Sequence, residues 1–147
     1  MRWLLVVALP ALAACTPATN VACAPPLQPA LEIDLYFGRD RAAGGEVSEA
    51  EWLAFLAESV TPRFPDGLSV LDVEGQLRDG AGQIVRERSK LLIVVVFDAP
   101  AHQGKVRSIV DAYAKRFGQS AVFRVEHGVC AAADHPLVGA GGEPNPR

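Results

Sequence analysis

Ser89-Lys90-Leu91-Leu92-Ile93-Val94-Val95-Val96-Phe97-Asp98 is the stretch on which the fold turns. From Leu91 to Phe97 every side chain is apolar, and Ile93 to Val96 are all β-branched. A run this short, entered through a polar pair, predicts a strand buried on both faces at the centre of a sheet.

Upstream, Asp79-Gly80-Ala81-Gly82 predicts a hairpin turn joining a strand from Leu68 to Arg78 to one that begins at Gln83 and runs into the apolar stretch. A three-residue loop would set Glu74 opposite Arg86 and Asp72 opposite Arg88, whereas a two-residue loop would bring Glu74 near Glu87. The first register is expected. One face then carries Leu71, Val73, Leu77, Val85, Leu91, Ile93, Val95 and Phe97, and is expected under helices. The other carries Asp72, Glu74, Arg86, Arg88 and Lys90, followed by Leu92, Val94 and Val96.

Before the hairpin, Thr61-Pro62-Arg63-Phe64-Pro65-Asp66-Gly67 reads as a rigid turn, with two prolines that hold φ. Ser48-Glu49-Ala50-Glu51 is a capping box, and Val47 and Trp52 stand where a hydrophobic staple would. Trp52, Phe55, Leu56 and Val60 then form one apolar stripe, ended by Pro62. Earlier still, Leu31 to Phe37 alternates apolar and polar residues and stops at Gly38, a strand with one buried face. Downstream, Asp98 can cap a helix in which Val106, Ile109, Val110, Tyr113 and Phe117 recur at helical spacing before Gly118. Ala121 to Gly128 alternates again as a last strand.

Strand, helix, strand, strand, helix, strand is the order of an α+β ferredoxin-like sandwich, two split βαβ units with both helices on one face of an antiparallel sheet. Its strand order would be 4-1-3-2, which puts the apolar stretch in the interior. Residues 31–132 make up the domain, and 133–147 form a Gly/Pro-rich tail expected to lack order. In that topology Cys130 ends beside the start of the first strand, within reach of Cys23. A bridge there closes a loop of about 100 residues, worth up to roughly 4–5 kcal/mol in the chain-entropy model. Two free cysteines are the alternative.

The 147 residues carry a net charge of −3 with no basic cluster, which argues against nucleic-acid binding. Residues 1–14 read as a signal peptide: Met1-Arg2, a short apolar core, then Leu12-Ala13-Ala14 before Cys15. This resembles the bacterial lipoprotein signal, in which the cysteine becomes a diacylated first residue. An ordinary secretory signal is the rival reading. Acyl chains such as palmitate on Cys15 would make the membrane a partner. The expected address is the cell envelope, facing the periplasm. Thr16, where an Asp would direct retention at the inner membrane, favours the outer one by analogy with enterobacterial sorting. Residues 15–30, rich in Pro and Ala, read as a tether. With Cys15 lipidated, Cys23 and Cys130 remain as an even pair in an oxidising compartment.

Leu35-Tyr36-Phe37-Gly38, Thr61 to Gly67, Gly75-Gln76, Arg86-Glu87-Arg88-Ser89-Lys90 and Phe117-Gly118-Gln119 together resemble a family of small bacterial lipoproteins classed as a domain of unknown function. The resemblance implies secretion and a single domain from about Cys23 to Cys130, and no activity. Leu77 stands where the family suggests an aromatic.

No catalytic set can be read from the sequence. Glu87 breaks its pattern, lying between Val85 and Ser89 on the face expected under the helices, where a carboxylate needs a partner. Arg63 is the candidate. A polar site of Glu87, Ser89 and Arg63 is the functional reading, and a structural ion pair is the plainer one. Tyr36 and Lys90, with Arg86 and Arg88, are expected on the open face, which ferredoxin-like domains use for ligands or a homodimer; solvated cross-strand pairs are the alternative. His102, His127 and His135 have no metal-ligand spacing, and no cofactor is expected. The leading reading is a non-catalytic binding module for a small ligand or a protein. The alternative is a cofactor-independent enzyme of the dimeric α+β barrel kind using Glu87 or Tyr36 as acid or base.

Overall fold

Leu31, Ile33, Leu35 and Phe37 alternate with polar residues along β1 (Gln28–Gly38), and the last three are fully buried in the computed structural model. The structure describes residues 22–41, 44–78, 80–119 and 121–133. The signal segment, Cys15, the tether up to residue 21 and residues 134–147 lie outside them. After β1 come α1 (Glu49–Phe55), β2 (Ser69–Arg78), β3 (Ile84–Val96), α2 (His102–Phe117) and β4 (Phe123–Ala131). The sheet is antiparallel throughout, in the order β2-β3-β1-β4. With both helices packed on one face, this is the ferredoxin-like sandwich, with β3 and β1 central.

α1 begins at the capping box: the Ser48 hydroxyl accepts from the Glu51 N–H, and the Glu51 carboxylate accepts from the Ser48 N–H. Val47 and Trp52, the staple pair, are both buried. A π-helical turn, Leu56–Val60, prolongs the helix, with Thr61 N–H donating to the Leu56 carbonyl. The wider turn brings Val60 to the side on which Phe55 is buried, which a regular α-helix would not do at a spacing of five. Gly118 ends α2 with φ 69°, a left-handed conformation that suits glycine. Between the layers, Phe37, Trp52, Phe55, Tyr113 and Phe117 form a ring cluster; Phe37 and Tyr113 have centroids 4.7 Å apart.

Four expectations are corrected. The largest concerns β3. Leu35 pairs with Leu92 and Ile33 with Val94, and directly opposed residues share a face. Because Ile33 and Leu35 are core, Leu92, Val94 and Val96 lie under the helices. Leu91, Ile93, Val95 and Phe97 look the other way, the inverse of the expected assignment. With both faces of this segment apolar, its own pattern could not choose between them.

The second correction is the hairpin. Arg78 pairs with Ile84, so five positions turn the chain, and Glu74 faces Arg88 while Asp72 faces Lys90. The register slips by two residues, which keeps every side chain's parity and still pairs opposite charges. Third, Asp98 does not cap α2. Its carbonyl accepts from Ala101 N–H and its carboxylate takes Lys105 Nζ at 3.0 Å, while Ala101 holds the cap position. Fourth, β1 starts at Gln28, inside the expected tether. Pro29 pairs with Cys130 of β4 and has no partner in β3, so its missing N–H breaks no ladder there.

Cys23 and Cys130 form a disulfide across 107 positions, with Cα atoms 5.6 Å apart. It ties the chain leading into β1 to the end of β4, where the strand order places them.

Candidate functional site

Alternation assigns the open face residue by residue. β1 contributes Glu32, Asp34, Tyr36 and Gly38, and β2 contributes Leu71 and Val73. β3 contributes Glu87, Ser89, Leu91, Ile93 and Val95; β4 adds Phe123, Val125 and His127. Leu71 is 46% exposed, Val95 40%, Phe97 52% and Phe123 68%. Neither α1 nor α2 covers them, so β-branched and aromatic side chains chosen for strand formation also make an apolar surface.

Three of the five residues singled out from sequence meet on this face. Tyr36 packs its ring against Phe123, centroids 5.8 Å apart. Ser89 pairs with Gly38. The Glu87 carboxylate lies over Gly38, in the space a Cβ there would occupy, so a larger residue would have to push it aside. The other two lie elsewhere. Lys90 points to the helix side, by the parity that inverted β3. Arg63 belongs to the turn after α1, where its guanidinium donates to the Ser59 carbonyl at 2.6 Å, and it makes no pair with Glu87.

Glu32 and Asp34 are open-face residues that sequence reasoning passed over. Asp34 Oδ1 is enclosed and has no hydrogen-bond partner; Oδ2 stands 3.8 Å from His127 Nε2. The available signal was two acids alternating along a central strand.

The helix side is different in kind. Lys90 is 3% exposed, and its ammonium reaches Asp72 at 2.6 Å and Glu49 at 2.8 Å. Burial works against that charge, but the hydrogen bonds to Asp72 and Glu49 outweigh it and its pKa rises. The same lysine holds the Asp72 carboxyl below its ordinary value. Arg39 donates to the Val47 carbonyl and pairs with Glu46 at 3.1 Å, and Arg88 also pairs with Glu46. These pairs fasten α1 and its leading loop to the hairpin. A cavity of about 390 Å³ lies among Arg39, Glu49, Asp72, Glu74 and Arg88. At the start of α2, buried His102 stands 3.4 Å from Glu126, and Arg124 bonds Gln103. Burial pushes the His102 pKa down, and the Arg124 charge adds to that. Tyr113 donates to the Gly38 carbonyl at 2.9 Å; burial raises its hydroxyl to about 12.

A larger groove, about 690 Å³, curls round the end of the sheet between Arg63, Phe64, Leu68, Val95, Phe97 and Lys105. Neither cavity contains Tyr36, Glu87 or Ser89. Among the described residues no group of three His, Cys, Asp or Glu side chains is arranged to hold a metal.

Residues 32–132 match the family described as "Protein of unknown function (DUF3574)", and the chain belongs to that family. Among curated proteins nothing matches. Solved structures that share the fold include two of a phage SAM lyase. One, in complex with S-methyl-5′-thioadenosine, is 14% identical with a TM-score of 0.55, covering 71% of this chain and 91% of its own. The other, in the apo state, is 15% identical with a TM-score of 0.51, covering 72% and 91%. At that identity the likeness establishes the architecture.

Proposed function

We propose that this member of the DUF3574 family is a lipid-anchored protein of the bacterial envelope whose domain binds a partner through the open face of its sheet, without catalysis. The uncovered apolar face carries the reading: Leu71, Val95, Phe97 and Phe123 are all more than a third exposed there. At about 4.8 Å between strands and 3.3 Å per residue the face measures on the order of 500 Å². Apolar side chains make up part of that area, and an exposed apolar patch of a few hundred Å² on a small domain is often functional. Flatness favours a macromolecule over a small ligand, since neither cavity gathers Tyr36, Glu87 and Ser89. Leu12-Ala13-Ala14-Cys15 motivates the anchor, and the Cys23–Cys130 bridge suits the oxidising compartment to which an outer-membrane lipoprotein is delivered.

Photo-cross-linking in cells tests the binding reading. A reactive residue placed at Val95 should give cross-linked products that one at Glu58, on the helix side, does not. Equal yields from both positions would refute it. Cys15→Ala should move the protein from membrane to soluble fractions, and unchanged partitioning would remove the anchor.

One observation keeps a second reading, an enzyme using Glu87 or Tyr36 as acid or base: both lie on the face that a second copy would enclose. The SAM lyase neighbours suggest S-methyl-5′-thioadenosine as the first probe. A thermal shift with it that Glu87→Gln abolishes would replace the binding reading with this one.

A further inference from the structure

The charges on the open face are one-sided. Among the described residues of the four strands, Glu32, Asp34 and Glu87 point to that face, and His127 is the only basic side chain beside them. No Lys or Arg reaches these three carboxylates, whereas Arg39, Arg88 and Lys90 on the helix side are all paired with acids. Each of the three is half-buried, Glu32 with His127 on its β4 side and Glu87 beside Gly38 and Gly75. Glu32 lies across from Val95, and Asp34 sits between Ile93 and Val125. Any cover laid over the face would desolvate them further, at a cost unless it brings positive charge.

A second copy does not bring it. Two such faces laid together would juxtapose six carboxylates with two histidines, and like charges across an interface oppose association. Nor does the chain beyond β4 suit: residues 134–147 carry Asp134 and Glu143 against Arg147 and His135.

Resting on the reading of this face as the binding surface, we propose that its occupant is a basic segment of another protein. That segment presents Lys or Arg among apolar side chains, its cations meeting Glu32, Asp34 and Glu87 while its apolar groups cover Leu71, Ile93, Val95 and Phe97. Charge would choose the partner and apolar area would hold it.

The test uses the full chain and two labelled peptides of equal length, one alternating Lys with Leu and one alternating Glu with Leu, with binding read by fluorescence anisotropy. The Lys-Leu peptide should bind at least about tenfold more tightly, a preference that added salt reduces. The triple variant Glu32→Gln, Asp34→Asn, Glu87→Gln should lose the preference, and Glu87→Gln alone should lower it if the triple variant misfolds by circular dichroism. Equal affinity for both peptides, lost in Val95→Asp, overturns the basic partner and leaves the binding face standing. Affinity indifferent to Val95→Asp overturns the face itself. Sedimentation as a dimer that Val95→Asp dissociates makes a second copy the occupant and overturns the proposal.

Discussion

Leu92, Val94 and Val96 are shut beneath two helices, while Leu91, Ile93 and Val95, their neighbours in the same strand, look onto an uncovered surface. Both sets are apolar, and their surroundings differ. On the covered side, five aromatic rings interlock and the charges at the margin are neutralised in pairs, Lys90 with Asp72 and Arg39 with Glu46. Among the described residues the open side has no second layer, and its carboxylates have no Lys or Arg. The covered face holds the domain together; recognition by the open one is the proposed reading.

The largest expected effect lies on the covered side. Phe55→Ala removes a ring that contacts Phe37, Tyr113 and Phe117 and should lower unfolding free energy by about 3–5 kcal/mol in urea titrations. A loss below 1 kcal/mol would mean that the helices do not close the core as described. Next, Lys90→Met should cost about 1 kcal/mol by removing its pairs with Asp72 and Glu49, whose exposed carboxylates return to water. Asp72→Asn should then cost less in the Lys90→Met background than alone, and strict additivity of the two changes would show that the pair is not coupled.

Of similar size is the cap that starts the covering layer. Ser48→Ala should cost about 1 kcal/mol. Hydrogen bonds from the Ser48 backbone, Arg41 and the Ser48 hydroxyl hold the Glu51 carboxyl at about 2, below its ordinary value. Its contribution is therefore complete above the ordinary carboxylate range and is lost as pH falls from that range toward 2. Glu51→Gln should flatten that part of the stability–pH curve; an unchanged curve would place the acid sensitivity elsewhere. The smallest effect belongs to the open face, where Val95→Thr should change stability by less than about 0.5 kcal/mol. A loss as large as that of Phe55→Ala would erase the contrast between the faces.

Much of this architecture was legible along the chain. Leu31 to Phe37 could bury only one side, so β1 oriented itself; the Ser48–Glu51 box and the Gly118 stop marked helix ends through chemistry local to a few residues. Segment order then left few topologies, and Cys23 could be matched to Cys130 because both flank the same edge. The candidate site was legible in part. Tyr36, Glu87 and Ser89 do share a face, but Lys90 and Arg63 leave the group, and Glu32 and Asp34 join it.

Composition and periodicity by themselves determined the six segments, their order and the single sandwich they form. Those signals come from steric and hydrophobic preferences within one segment. Only the tertiary structure decided which side of β3 became core, because that depends on pairing Leu92 with Leu35, 57 positions apart, and a shift of one residue turns every side chain over. The hairpin's five-residue turn, the seat of Lys90 and the company Glu87 keeps all follow from contacts between distant segments.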